Sequence, residues 1–174
     1  MSDHLTMSGP GTTRAYLPWI GLVLAGLLLI GAGPAAVRGR VAIVVHKSNA
    51  LDDLSSAELR RILLGDETRW PGKEKITILL LPPGSEERRT LLRVLLRMSD
   101  DDFIRHWISR VFQGEATAGP KTASSAASLL RLVAGLPSAL GVLDAEDVQD
   151  GDAGLKVLRI DGKAPSEDGY PLVR

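Results

Sequence analysis

Five consecutive apolar residues, Val41–Val45, are rich in valine and isoleucine and contain no polar residue. Strands with one wet face alternate polar and apolar side chains, whereas strands buried on both faces are continuously apolar. This run therefore predicts an interior strand of a sheet that is covered on both of its faces.

Helical and strand-like stretches alternate along the rest of the chain. The spacing of apolar residues predicts helices over 55–64, 86–98 and 99–114, and from Thr122 or Ser124 to Gly135. Further apolar runs predict strands at Ile76–Leu81, Ala139–Leu143 and Leu155–Ile160. With 174 residues, the chain has room for one ordinary domain. We therefore expect a single α/β domain whose helices cover a parallel or mixed sheet.

The predicted helices have recognisable starts and faces. Ser55 and Glu58 have capping-box spacing, Ser99 precedes three aspartates, and Thr122 or Ser124 can cap the last helix. In the second helix, leucines alternate with four arginines, which predicts a solvated basic face, with a ligand- or lipid-facing surface as the alternative; these are Arg88, Arg89, Arg93 and Arg97. The third helix carries an apolar stripe made of Phe103, Ile104, Trp107, Ile108 and Val111.

The stretch Ala15–Val37 contains 23 residues without a charge and follows a flank of residues 1–14. As a signal peptide, it has Arg14 as its basic flank and a small-residue cleavage site after Ala35. As a membrane anchor, it is long enough to cross the hydrocarbon core with some tilt. A buried core helix is the third interpretation, and the sequence does not decide among the three.

Composition and motifs exclude several classes of function. The chain has 21 basic and 21 acidic residues, so no broad electropositive face for nucleic acid is expected. Cysteine is absent, and neither His46 nor His106 has a partner at a diagnostic metal-ligand spacing. The sequence also offers no activated nucleophile and no acid–base pair. We therefore expect neither an enzyme nor a metal or other cofactor.

Four segments in order resemble the phosphate-binding proteins of ABC transporters, which are type 2 periplasmic binding proteins. They are an apolar strand with a Ser-Asn turn at 41–49, a helix, Gly turn and Thr-x-Trp at 54–70, a strand with a Gly-Ser turn at 76–85, and the stretch 139–172 with its tail Leu158-Arg-Ile-Asp-Gly-Lys-Ala-Pro-Ser166 and Gly169-Tyr-Pro-Leu172. The resemblance implies that residues 41–174 form a single three-layer lobe of that fold. It also implies a periplasmic or other extracytoplasmic location, either secreted or anchored to the inner membrane by 15–37.

The resemblance also points to a ligand site. Gly84 and Ser85 match the start of the family's Ser-Gly-Thr phosphate turn, and Arg88 matches a basic residue that often follows it. Free N–H groups at a helix start favour an anion, while a helix cap is the alternative role of Ser85. Thr122 and Ser124 cluster at another predicted helix start, where capping and oxyanion contact are both open. Phosphate or a similar oxyanion is the implied ligand, and an ABC transporter or a sensor is the implied partner.

Two departures from the family pattern leave a second function open. Glu86 and Glu87 stand where the family has Gly and Thr, which places two negative charges beside the turn. The family's long N-terminal portion, which supplies much of the first lobe, is also missing between the apolar stretch and Val41. One hypothesis is therefore an extracytoplasmic solute-binding module whose half-site a partner or a second copy completes. The alternative is a membrane-tethered interaction or accessory domain that no longer binds a ligand.

Overall fold

A computed structural model of the chain describes residues 39–72, 74–148 and 154–174. These residues all belong to one compact unit, Pro34–Arg174. The predicted flank 1–14 and the predicted signal or anchor 15–37 lie outside the described residues. Among the helices that are described, none is both long and apolar enough to cross a membrane.

Strands and helices alternate along the described chain. The strands are β1 (Val41–His46), β2 (Asp53–Leu54), β3 (Thr77–Leu80), β4 (Lys121–Thr122), β5 (Ala139–Asp144), β6 (Leu155–Val157) and β7 (Arg159–Ile160). The helices are α1 (Ser56–Leu64), α2 (Glu86–Leu91), α3 (Asp100–Phe112) and α4 (Ala126–Gly135). A π-helical turn, Leu92–Leu96, extends α2, and a 3-10 turn, Ala145–Asp147, follows β5. The α/β class predicted from the sequence is confirmed.

Five strands form a mixed sheet in the order β4-β3-β5-β1-β6. The strands β4, β3 and β5 are parallel to one another, whereas β1 runs antiparallel to both β5 and β6. The remaining strands, β2 and β7, pair in parallel as a separate two-stranded sheet. Of the parallel and mixed arrangements left open by the sequence, the structure has the mixed one.

The central strand β1 supplies side chains to two separate cores. Ile43 and Val45 belong to a core shared with α1, the α2 segment and α3, while Val44 belongs to a core shared with α4. Each of these three side chains is fully buried. The sheet is thus the middle layer of three, as the continuous apolar run predicts.

Local capping chemistry begins and ends the helices as the sequence indicates. Ser55 and Glu58 form a reciprocal capping box at α1, and Ser99 and Asp102 form another at α3. Gly65 takes a left-handed conformation, with φ of 80°, and ends α1. The last helix differs from the prediction, because Ser125 caps α4 through the Ser128 amide at 3.2 Å. Neither Thr122 nor Ser124 is the cap, since Thr122 belongs to β4.

The predicted solvated face of the second helix is wrong at Arg88. Its side chain is 5% exposed and lies between the sheet and α3, whereas Arg89 is exposed. The predicted helix 86–98 is also not uniform, since it widens into a π turn after Leu91 and ends at Arg97, whose φ is 55°. A periodic stripe does not distinguish a solvated arginine from one that pairs with a carboxylate on another helix.

The apolar stripe of α3 divides into two sides. Phe103 and Trp107 are buried, whereas Ile104, Ile108 and Val111 are between 39% and 62% exposed. The predicted strand Leu155–Ile160 divides as well, because the chain changes sheets at Leu158 and forms β6 and β7 in different sheets. Leu158 itself is fully buried.

The C-terminal tail folds back onto the start of β1. The Tyr170 hydroxyl donates to the Val41 carbonyl at 2.7 Å, and the Val41 amide donates to the Leu172 carbonyl at 2.9 Å. Burial raises the pKa of the Tyr170 phenol, so this hydroxyl stays a donor. The Arg174 amide donates to the Gly39 carbonyl at 2.8 Å, which brings the two ends of the described unit together.

Candidate functional site

Two parallel strands, β3 and β4, end side by side at one edge of the sheet. Leu80 pairs with Thr122, so the turn 82–85 after β3 and the turn 123–125 after β4 lie at the same edge. Each turn leads into a helix, α2 and α4 respectively. In open α/β sheets this is the edge where ligands bind, because helix N-termini and free amide groups point towards it.

The turn Pro82–Ser85 is a tight reversal that carries the predicted anion-site residues Gly84 and Ser85. Its reversal is closed by the Ser85 amide, which donates to the Pro82 carbonyl at 3.1 Å. Gly84 has a φ of 86°, a left-handed conformation that glycine adopts at little cost. The Gly84 amide does not point to open solvent, however, because it donates to Oδ2 of Asp100 at 3.3 Å.

Asp100, at the start of α3, occupies the anion position of this turn. Its other carboxylate oxygen, Oδ1, accepts from Nε of Arg88 at 2.5 Å. Arg88 also donates from Nη1 to the Leu81 carbonyl at 3.3 Å, and its guanidinium lies 5.7 Å from the ring centre of Phe103. One carboxylate of the protein thus accepts hydrogen bonds from two of the three groups predicted to bind an oxyanion at this turn, Gly84 and Arg88.

Ser85 begins α2 without acting as a side-chain cap. Its backbone is extended, and the Arg89 amide donates to the Ser85 carbonyl at 3.0 Å, as expected of an N-cap residue. Its hydroxyl makes no cap hydrogen bond. Within the described part of the chain, the Ser85 Oγ is buried and has no hydrogen-bond partner. It is therefore the one predicted site group whose polar atom remains unused at this turn.

Carboxylates from β5 and from the 3-10 turn that follows it lie near Glu87 in the first turn of α2. Burial, followed by the charges of Asp144, Glu87 and Glu146, raises the pKa of Asp147 above its ordinary value. Besides Arg88, this edge has Arg174, which donates to Asp144 at 2.5 Å and lies 3.9 Å from Glu87. The electrostatic environment of this sheet edge is therefore acidic and disfavours a second anion.

The two candidates near the second turn, Thr122 in β4 and Ser124 after it, do not line the same groove. Thr122 is exposed and lines a groove together with Arg88. Ser124 is exposed and is not part of that groove. The structure thus brings Gly84, Ser85 and Arg88 together at the start of α2. Thr122 lies in the groove that Arg88 also lines, while Ser124 lies outside it.

The groove that reaches Arg88 and Thr122 has a volume of about 550 Å³. Its walls are mostly apolar and come from the turn after β3, from α3 and from the loop before β4. They include Pro83, Phe103, Ile104, Trp107, Ile108, Val111, Phe112 and Pro120. The sequence did not identify this groove, and the signal for it was the width of the α3 stripe, which carries more apolar residues than one buried face needs.

A smaller pocket of about 400 Å³ shares Trp107, Gly119 and Pro120 with the groove. It is lined by more polar residues, including Lys75 and Lys121. Neither lysine side chain has a hydrogen-bond or ion-pair partner in the residues that the structure describes. This end of the groove therefore carries two lysines without a direct partner among the described residues, although Glu67 and Glu115 line the same pocket. Across residues 39–72, 74–148 and 154–174, no group of acidic, histidine or cysteine side chains could hold a metal ion.

Comparisons with known proteins give the fold. No protein-family model and no curated protein matches the chain. Among solved structures, an ABC-type phosphate transport receptor from Vibrio cholerae has a TM-score of 0.60 at 20% identity over 76% of this chain and 52% of its own. PstS from Borrelia burgdorferi has a TM-score of 0.57 at 13% identity, covering 78% of this chain and 54% of that one. The phosphate-binding protein from Stenotrophomonas maltophilia has a TM-score of 0.53 at 19% identity, with coverages of 73% and 40%.

These similarities confirm the resemblance at the level of the fold. The chain has the architecture of phosphate ABC-transporter substrate-binding proteins, and it spans about half of their length or less. At these identities the likeness describes how the chain folds. Which groups it uses, and for what, depends on its own residues.

Proposed function

We propose that this chain is an extracytoplasmic accessory module with the solute-binding fold, which serves a transport or sensing system through protein contacts and not through phosphate capture. The residues 15–37 hold it at the membrane or direct its export, with 1–14 as their flank. The observation that carries the proposal is the position of Asp100, whose carboxylate accepts hydrogen bonds from both the Gly84 amide and the Arg88 guanidinium.

The charges at the turn oppose phosphate. Two like charges about 4 Å apart repel by about 1 kcal/mol in water and by several times more where the site is sheltered. A helix N-terminus contributes only about 0.3–1 kcal/mol to a bound negative charge. Asp100 already forms an ion pair with Arg88, the cation nearest the turn. Glu87 and Asp147 add further negative charge nearby. Phosphate would have to displace the Asp100 carboxylate, which is part of the chain and therefore always present at the turn.

The test is a titration of the chain with phosphate, sulfate and chloride at fixed ionic strength, followed by melting temperature. A ligand that binds only the native state must raise this temperature. We expect no phosphate-specific rise for the natural sequence. In Asp100→Asn, which removes the competing charge and leaves the shape of the turn, we expect phosphate to raise the melting temperature.

Asp101→Asn is the matched control, because it removes the same charge from the same turn of α3. Asp101 is exposed and makes no contact with Arg88. If phosphate selectively stabilises the natural sequence at millimolar concentration, Asp100 does not close the site and the proposal is wrong. If Asp100→Asn and Asp101→Asn respond equally, the effect comes from net charge and the role assigned to Asp100 is wrong.

A second candidate function is binding of phosphate or a similar oxyanion at the same turn. The observation in its favour is the buried Ser85 hydroxyl, which lacks a partner and lies beside the Gly84 amide and Arg88. Thr122 would complete that site from the groove side, and Ser124 would contribute from the neighbouring turn. This candidate requires Asp100 to swing away, and it predicts that the natural sequence responds to phosphate and that Ser85→Ala loses the response.

A further inference from the structure

The outer side of α3 exposes more apolar surface than the other helices of the described chain. Phe112 is 92% exposed and Ile108 is 62% exposed, with Ile104 and Val111 at about 40%. All four side chains line the 550 Å³ groove. Contiguous apolar surface of this kind on a soluble domain marks an interaction site more often than scattered exposed residues do.

The exposed residues follow one face of the helix. Ile104, Ile108 and Phe112 are four residues apart, and Asp101 precedes Ile108 by two helical turns on the same face. The Asp101 carboxylate is exposed and has no hydrogen-bond or ion-pair partner among the described residues. The face is therefore acidic at its N-terminal end and apolar in its middle.

The opposite end of the same surface is basic. Lys75 and Lys121 line the pocket that continues the groove past Trp107, and neither lysine is paired within the described part of the chain. Glu67 and Glu115 also line this pocket, but Glu67 lies 3.4 Å from Arg61 and Glu115 lies 3.8 Å from Arg110. The surface thus has an unpaired negative charge at one end and two unpaired positive charges at the other.

We propose that this face binds a second copy of the chain, with the two α3 helices antiparallel across a two-fold axis near Ile108. Such a pairing places Asp101 of each copy near the lysines of the other and covers Ile104, Ile108 and Phe112. A two-fold interface needs a self-complementary surface, and a face with opposite charges at its two ends meets that requirement. Antiparallel helices also bring opposite helix dipole ends together. The inference names the partner of the accessory module and in that sense rests on the proposed function.

The expected complex is a weak one. Stable interfaces bury about 800 Å² on each partner, and transient ones less. Two or three turns of one helix with the adjoining groove correspond to the smaller class. We therefore expect a dimer that dissociates on dilution, with local tethering at a membrane raising its population through effective concentration.

The absence of cysteine makes cross-linking the most direct test. Ile108→Cys in the full chain places one thiol near the proposed axis, where two copies approach closely enough for a disulfide. Mild oxidation should convert most of this variant to a covalent dimer. Ala127→Cys is the matched control, because residue 127 is also exposed but lies on α4, in the opposite layer of the fold. It should form at least fivefold less dimer.

Charge reversal tests the antiparallel arrangement. Asp101→Lys in the Ile108→Cys background should reduce cross-linking severalfold, and adding Lys121→Asp should restore it. Absence of a cross-linked dimer, equal cross-linking of the α4 control, or failure of the charge swap to restore it would each overturn the proposal. If Ile108→Cys is instead shielded from a water-soluble maleimide only when vesicles are present, the face binds lipid and the second copy is wrong. None of these results depends on phosphate, so the dimer and the accessory role fail separately.

Discussion

The turn after β3 and the groove beside α3 lie next to each other and differ in whether their side chains have partners within the molecule. In the turn, the amide of Gly84 and the guanidinium of Arg88 are both bonded to Asp100, inside the molecule. In the groove, Ile108 and Phe112 are left in contact with solvent. The part of the fold that could attract a small anion is internally neutralised, whereas the part that could attract an apolar surface is left open.

One helix produces both effects. Its first residue, Asp100, closes the turn, Phe103 lies against the Arg88 guanidinium, and Ile108 and Phe112 form the open face. Any change that moves α3 therefore affects the turn and the groove together. Substitutions on its two sides can separate them.

The largest effect is expected on the inner side of α3. Trp107→Ala removes a ring that is 8% exposed, packs against Gly65 and donates to the Leu63 carbonyl at 3.2 Å. We expect a loss of about 3–5 kcal/mol in the free energy of unfolding. Phe112→Ala, on the outer side, should change it by less than about 0.5 kcal/mol. Urea denaturation of both variants measures the difference, and similar losses would mean that the outer side is also part of the core.

An intermediate effect is expected at the turn. Arg88→Met removes the partner of Asp100 while keeping much of the buried volume, and we expect a loss of about 1.5–3 kcal/mol in the free energy of unfolding, the range for a hydrogen bond to a charged group. Asp100 is 22% exposed, which limits the cost of leaving its carboxylate unpaired. Arg89→Met is the control, since Arg89 pairs with Glu86 at the exposed surface and should cost less than about 0.5 kcal/mol. Equal losses in the two variants would show that the ion pair between Arg88 and Asp100 does not stabilise the fold.

The smallest effect concerns the acidic edge. Burial and the neighbouring charges of Asp144 and Glu87 raise the pKa of Asp147 above 3.8 in the folded state. The native state therefore binds this proton more tightly than the unfolded state does. The stability that this group contributes is fully present below pH 3.8 and is lost as the pH rises through the raised pKa.

Asp147→Asn should consequently be more stable than the natural sequence at pH 7 and equal to it at about pH 3. Because Asp147 is largely solvated, the gain at pH 7 should be only a few tenths of a kcal/mol. Unfolding measured across this pH range gives the difference, and raising the salt concentration should shrink it. A variant that is less stable at pH 7 would contradict the acidic character assigned to this edge.

Sequence reasoning found the features that depend on neighbouring residues. The run Val41–Val45 predicts a strand between two layers, and Ser55 with Glu58 predicts the start of α1, because both patterns are complete within a few residues. The Gly-Ser turn at 84–85 was also found locally. Its hydrogen-bond partner was not, because Asp100 is brought to it only by the way α3 packs.

Tertiary packing, which the sequence pattern does not contain, also explains where the structure differs from the prediction. An arginine on an amphipathic helix is usually solvated, and only the tertiary structure shows that Arg88 faces a carboxylate. Likewise, Thr122, Ser124 and Ser125 can all cap a helix by residue type. The pairing of β4 with β3 keeps Thr122 in a strand, and Ser125 is the residue that caps α4. The chain's change of sheet at Leu158 leaves no local pattern, since both short strands are apolar enough to form one longer strand.

The hydrogen bond between Arg174 and Gly39 closes the described unit into a loop, with Arg40 and Val173 paired beside it. Folded units whose first and last residues lie close together can be inserted into a surface loop of another protein, because they enter and leave at nearly the same place and disturb little of the host. They can also be joined end to end and opened elsewhere without losing their core. The unit is therefore suited to insertion into another protein. This follows from the contact between Gly39 and Arg174 and does not depend on what its surface binds.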